Sequence, residues 1–301
     1  MGIPDATSSL GMAVWVDMKQ TKFTFFIFSI LALLFVSIEV FAQGSNAGSI
    51  NQSVEGEKPF NVLFSSQHHV GFGPTVDPYT QFLLGGAYKL SDSHELSLII
   101  PAKKLYVVPK YGVSEFQFDE TYLYHLMTIS PDLYGFVLQW RSGVTLPTSY
   151  KSLENGIYTV PSGTMIIGRD FFNKKLNLSY RPYTRYYFKA YQATGDGEPL
   201  PKYDLGHEMI VTCYIIPDLS LSLGASGETQ WVERVAHAKV DDPTAYAKYG
   251  YNASAAYQIT RVLGAEIGYG QSDSFIKDPR YEVNTYDPDE SRMYFGVNFR
   301  F

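Results

Sequence analysis

The last eleven residues alternate without a break. From Ser291 to Phe301, Met293, Phe295, Val297, Phe299 and Phe301 share one parity, and Arg292, Tyr294, Gly296, Asn298 and Arg300 share the other. Successive strand side chains point to opposite faces, so this is a strand with one wholly apolar face and one polar face. The apolar face must meet either a packed core or lipid, and everything upstream has to be compatible with one of the two.

The same alternation recurs backwards along the chain. Strand-like runs occupy 60–69, 79–90, 94–107, 114–128, 133–145, 163–172, 176–190, 203–216, 219–233, 246–259 and 263–272 ahead of the final one. Their connections are short and long by turns. The short ones are Ser91-Asp92-Ser93, Ser130-Pro131-Asp132, Asn173-Lys174-Lys175, Pro217-Asp218 and Thr260-Arg261. The longer ones are 70–78, the stretch around 109–112, 147–160, 194–201, the stretch around Asp241-Asp242-Pro243, and 274–290. Twelve strands with all short turns at one end make an even, closed, up-and-down barrel whose long loops share the other end. Pro101 and Pro182 fall inside strand runs and imply bulges or displaced boundaries, which leaves ten or fourteen strands open.

The terminal stretch resembles the C-terminal signal of bacterial outer-membrane β-barrels, a final Phe preceded by apolar or aromatic residues at every second position. The resemblance implies that Met293, Phe295, Val297, Phe299 and Phe301 form the mark read by the barrel-assembly machinery. It further implies export, escort by periplasmic chaperones, and a position among outer-membrane lipid and lipopolysaccharide. The front of the chain agrees. Residues 1–17 read as an upstream extension and 18–42 as a signal peptide, with Lys19 and Lys22 before an apolar run over 23–38 and a cleavage site at Val40-Phe41-Ala42. That run is short for a membrane span, and Glu39 closes it. The Gly/Ser/Asn-rich stretch 43–58 is expected to be a flexible periplasmic lead-in, and 59–301 the barrel. The fold class is thus all-β, a transmembrane antiparallel β-barrel.

Composition supports this. Tyr (24) and Phe (20) are abundant although the mean hydropathy is −0.11, as expected when only alternate residues meet lipid. The single Cys213 permits no internal disulfide, and a net charge of −6 leaves no basic footprint for nucleic acid. Outward rows are expected at Phe82/Leu84/Tyr88, Leu96/Leu98/Ile100, Tyr134/Phe136/Leu138/Trp140, Leu219/Leu221/Leu223 and Tyr249/Tyr251/Tyr257/Ile259. Two aromatic belts follow, Tyr88, Tyr124, Tyr134, Tyr180 and Tyr257 near the short turns, and Tyr79, Phe116, Tyr186, Trp231 and Tyr249 near the loops.

The inward rows carry the functional reading. Arg141, Arg169, Arg181, Arg185 and Lys189 are expected to form a basic lumen wall, and Glu208, Glu228 and Glu266 a partly separate acidic one. Such segregation would give a narrow passive channel for small polar or anionic solutes, because arginine holds carboxylate and phosphate with two bonds. The alternative is a lumen filled by Arg–Glu pairs, leaving a structural or surface-interaction barrel that acts through its loops. A hydrolase is a third reading, resting on Ser65, Ser66, His68 and His69, which lie close on the first strand. Other enzyme and metal signals fail. His125 has no nearby Ser at its own parity along its strand, and His207-Glu208 lacks the second His of a zinc helix. Asp119-Glu120 reads as a solvated rim. The loop acids Asp241-Asp242 and Asp287-Pro288-Asp289-Glu290 read as hydrated tips. Neither a cofactor nor a metal is expected.

Overall fold

The computed structural model describes residues 59–73, 77–107, 114–195, 197–234, 244–274, 276–277, 280–281 and 286–301, without side chains over 274–281. The expectations for 1–17, 18–42, 43–58, 109–112 and Asp241-Asp242-Pro243 lie outside these residues.

Twelve long strands run antiparallel in chain order: β1 (Phe60–Gly71), β2 (Tyr79–Ser91), β3 (His94–Leu105), β5 (Thr121–Leu133), β6 (Phe136–Leu146), β7 (Ile157–Phe171), β8 (Leu176–Tyr186), β10 (Pro201–Ile216), β11 (Leu219–Val232), β12 (Ala245–Gln258), β13 (Leu263–Ser274) and β16 (Ser291–Arg300). Each pairs with its chain neighbours, and β1 also pairs with β16, which closes the sheet into a barrel. Closure leaves no sheet edge, the condition a strand structure must meet in hydrocarbon. Two short strands extend the wall, β4 (Phe116–Phe118) ahead of β5 and β9 (Phe188–Lys189) beyond β8. A small hairpin, β14 (Ile276–Lys277) with β15 (Arg280–Tyr281), lies in the last loop, and one short helix, α1 (Tyr150–Glu154), in the third. Among the described residues no helix is long and apolar enough to cross a membrane.

The five short connections share one end with the start of β1 and the end of β16, where Val62 and Phe301 exchange backbone hydrogen bonds. The six longer connections share the other. Strand number and turn asymmetry are therefore as expected, with boundaries shifted in two places. β7 begins at Ile157, so 157–160 belong to the wall and not to the third loop. The turn placed at Ser130-Pro131-Asp132 lies further on, since β5 continues to Leu133 through two register shifts. The chain reverses at Tyr134 (φ 55°) and Gly135 (φ 82°), and Asp132 Oδ1 accepts from Gly135 N at 2.7 Å. Two successive positive φ values give a primed hairpin turn, whose twist matches the strands better than a proline-led turn would.

Ladder partners share a side of the wall, so register fixes orientation. The row His68–Thr80–Lys104 faces out, as does Leu96–His125–Ser142. Leu84 (49 % exposed), Leu98 (41 %), Leu223 (63 %), Ile267 (49 %) and Phe295 (57 %) stand bare on that outer face. In water such a surface would be an aggregation liability; in a bilayer it is the lipid-facing wall.

Two aromatic assignments are corrected. Tyr124 pairs with Ser97 and Gly143 and faces the lumen, stacked on Tyr122 with centroids 5.8 Å apart. Tyr79 also faces in and stacks on His69 at 4.5 Å. Aromatic content alone does not place a ring at the interface when its parity puts it inside. The outer face near the loops is polar in one sector. There Gln271 Oε1 accepts from Tyr251 OH (2.5 Å), Tyr269 OH (3.2 Å), Ser291 Oγ (3.1 Å) and Asp287 N (3.3 Å). The chain after the last loop folds down over this sector. Tyr249, expected on an exposed belt, is only 3 % exposed.

Candidate functional site

The lumen is the site, and three strands supply most of its charge. β8 sends Ser179, Arg181, Tyr183 and Arg185 inward; β10 opposes them with Glu208, Gly206 and Asp204; β11 adds Glu228 and Gln230. A side chain at every second position, staggered across three adjacent strands, brings opposite charges within reach.

Arg185 is the centre. Its Nε lies 3.1 Å from Asp204 Oδ2, and its Nη2 donates to Glu228 Oε2. Tyr183 OH donates to Glu228 at 2.7 Å, Tyr187 OH to Asp204 at 2.6 Å, and Gln230 Nε2 to Asp204 at 3.1 Å. The Asp204 side chain is fully buried and that of Glu228 is 4 % exposed. Below it Arg181 Nη1 reaches Glu208 Oε2 at 3.4 Å; above it Lys189 Nζ reaches Glu233 Oε1 at 3.1 Å. Arg185 also acts electrostatically on Tyr122 and Tyr124, three strands round the wall. Those two tyrosines pack on a small apolar group of Leu63, Leu83 and Ile99.

The charges expected on separate walls are thus interleaved. Arg181 and Arg185 pair with carboxylates on the next strands, because buried charge is retained only where it is matched. Arg141 is inward, opposite Leu126, with its guanidinium 4.9 Å from the Tyr124 ring centroid. Glu266 is inward on β13, remote from the cluster, and accepts from Tyr294 OH at 3.1 Å. Lys189 lies at the loop end. Arg169 is corrected: it pairs with Leu178, faces out, and sits 4.8 and 5.0 Å from the rings of Phe136 and Phe171. Its parity is that of Ile167 and Phe171, and two ring faces near the short turns hold its cation. Asp204 and Tyr183 belong to the site and were not anticipated; both share inward parity with residues that were.

Met293, Phe295 and Val297 of the final strand face out, at 43 %, 57 % and 40 % exposure, and Phe299 packs on Phe64 at 6.3 Å. Phe301 is 62 % exposed at the strand's end.

The hydrolase cluster divides between two faces. Ser65 and His69 point in, whereas Ser66 and His68 point out. The His68 Nδ1 partner is Thr80 Oγ1 at 3.0 Å. His207 likewise faces out while Glu208 faces in. Asp119 pairs with Lys103 of β3 at 2.8 Å, and Glu120 accepts from Ser149 and Ser152 at the start of α1, which ties down the third loop. Among the described residues no group of three or more metal-binding side chains converges.

Close packing inside the wall gives one test. A Cβ on Gly206 would lie 2.4 Å from Tyr183 Cζ. Gly206→Val is expected to displace that ring from Glu228 and cost about 1–3 kcal/mol by overpacking. Urea unfolding of the refolded barrel measures it.

No protein-family model matches the sequence, and no curated protein matches it. Solved structures do. An outer-membrane channel from Pseudomonas putida F1 superposes with a TM-score of 0.54 at 12 % identity, covering 80 % of this chain and 95 % of that one. The NanC porin gives 0.50 at 13 % identity, covering 79 % and 98 %. The KdgM porin gives 0.47 at 9 % identity, covering 80 % and 99 %. Closed wall, bare apolar exterior and charged interior, with the likenesses to the Pseudomonas putida channel and the NanC porin, establish the fold: this chain is a closed, twelve-stranded antiparallel β-barrel, similar in fold to outer-membrane channels.

Proposed function

We propose that this protein is a narrow outer-membrane channel for small polar or anionic solutes. The observation that supports the reading most is a lumen lined by charged and hydrogen-bonding side chains where an inert barrel could be packed with apolar ones. On this reading the lumen is constricted at mid-height by Arg185 with Asp204 and Glu228. Arg181 and Arg141 stand on the short-turn side of that constriction, and Lys189 on the loop side. A solute passes by exchanging its polar groups for those of the wall, as in other selective pores. The short turns face the periplasm, the final strand with Met293, Phe295, Val297, Phe299 and Phe301 guides insertion by the assembly machinery, and lipid with lipopolysaccharide surrounds the wall.

Single-channel recording of the refolded barrel in planar bilayers tests this. Discrete steps above leak are expected, with a reversal potential in a salt gradient that reports anion preference. Absence of steps from verified, folded protein removes the channel. A second reading is favoured by the same ion cluster. Because Asp204 and Glu228 are matched so completely, the lumen would be a permanent plug and the barrel would act through its loops. In that case, deleting 147–156 would abolish a phenotype that lumen substitutions leave intact.

A further inference from the structure

Between the constriction and the short-turn end the lumen opens into a cavity of about 330 Å³. Its charge and its apolar surface are unevenly placed. Arg141 and Arg181 stand five residues up their strands from the preceding turns. Both guanidinium groups act on Glu208, so two cations share one carboxylate and leave an excess positive charge there. The close contact with Glu208 belongs to Arg181. Arg141 makes no ion pair among the described residues, and its buried Nε has no hydrogen-bond acceptor. Leaving a buried donor of a charged group without an acceptor is costly, so such a site favours a ligand that supplies one.

The rest of the lining is divided, with Ser97, Gln139, Asn177 and Ser179 on its polar part and an apolar part beside them. Ile99, Leu126, Val137 and Ile166 all face into the cavity. The two carboxylates that line it, Glu95 and Asp170, lie within two residues of short turns and already accept from Ser97 Oγ (3.1 Å) and Asn177 Nδ2 (2.7 Å). They oppose a second negative charge on any ligand whose first charge lies at the arginines.

We propose that this cavity binds an amphipathic monocarboxylate, an aromatic or short aliphatic acid, with its carboxylate on Arg141 beside Arg181 and its apolar body against Leu126, Val137 and Ile166. Size agrees, since a dry cavity of about 150 Å³ suffices for a benzene ring, and this one has room for a ring with its carboxylate. The assignment rests on the channel reading for its purpose but not for its test, because binding is measured without transport.

Benzoate, gluconate and benzyl alcohol are to be titrated calorimetrically into the full chain refolded in detergent. Benzoate is expected to bind at least tenfold more tightly than either of the others. Arg141→Gln should weaken benzoate by about tenfold or more, as loss of one charge-assisted contact predicts, while Arg141→Lys restores part of it. Leu126→Asn should weaken benzoate and leave gluconate unchanged. Mobility on unheated gels verifies that each variant is folded. Equal binding of gluconate and benzoate, or benzoate binding that survives Arg141→Gln, overturns the inference. Conductance without benzoate preference would leave the channel standing and sink only the ligand class; benzoate binding without conductance would do the reverse.

Discussion

Arg185→Ala is expected to lower the stability of the barrel by about 3–5 kcal/mol, the range for removing one partner of a buried ion pair, and to raise its conductance. The wall round Arg185 holds two carboxylates with 0 % and 4 % side-chain exposure. Without the guanidinium they face each other across a volume with little water, and their desolvation is no longer offset. Tyr183, Tyr187 and Gln230 still donate to them, which keeps the cost finite. Two measurements separate the terms. Urea unfolding in vesicles gives the stability loss, and the combined change Arg185→Ala with Asp204→Asn and Glu228→Gln should recover most of it, since neutral amides need no counter-charge. Conductance should stay raised in both variants, because both remove the long side chain from the constriction. A stability unchanged by Arg185→Ala would mean that the cluster is hydrated and that the constriction is not closed.

The second large effect belongs to the outside. Leu223→Arg places a cation where the side chain is 63 % exposed, four residues up from a short turn on an otherwise apolar face. Near the bilayer midplane such a substitution costs about 2–4 kcal/mol. Ser220→Arg, one ladder position from the same turn but facing the lumen, should stay within about 1 kcal/mol of the parent, since a wet interior accepts charge. Equilibrium unfolding in vesicles compares the two. Equal costs would contradict the inside–outside assignment on β11, and with it the reading of Leu219, Leu221 and Leu223 as lipid-facing. The argument is about the environment on each side of the wall and does not depend on what the channel carries.

The two faces differ in how far they could be read from sequence. Outward residues follow one simple rule, apolar at every second position, over Leu96–Ile100, Leu219–Leu223 and Met293–Phe299, and His68, Thr80 and Lys104 interrupt it near the loops. Where it seemed to fail, the cause was local. Arg169 looked like a lumen cation because it is charged, but its parity with Ile167 and Phe171 already placed it outside. Tyr124 and Tyr79 looked like interface rings because they are aromatic, although their parity with Leu126 and Gln81 placed them inside. In each case the phase of the strand, and not the residue type, decides the face. The turn at Tyr134-Gly135 was displaced for a different reason, because Pro131 is a strong punctuator that β5 accommodates at a bulge.

The inward rows were legible as charged but not as paired. Alternation along β8 gives Arg181 and Arg185 an inward direction without saying which residue of β10 stands opposite. Ion pairing is a matter of register, and a slip of two residues would leave every side chain facing the same way while exchanging all its partners. Only the closed ladder sets Arg185 against Asp204 and Arg181 against Glu208.

The amino-acid sequence by itself determined the alternating runs, the asymmetry of turns and loops and the apolar face of each run, because a two-residue period is a local property that needs no partner to be read, while the closed ladder fixed the strand count at twelve among the alternatives. The tertiary structure alone decided that Arg181 and Arg185 are matched by carboxylates, that Arg141 has no ion-pair partner among the described residues and that a half-apolar cavity lies beside it. Those facts depend on distances between residues far apart in the chain, set by register and closure, to which alternation is blind.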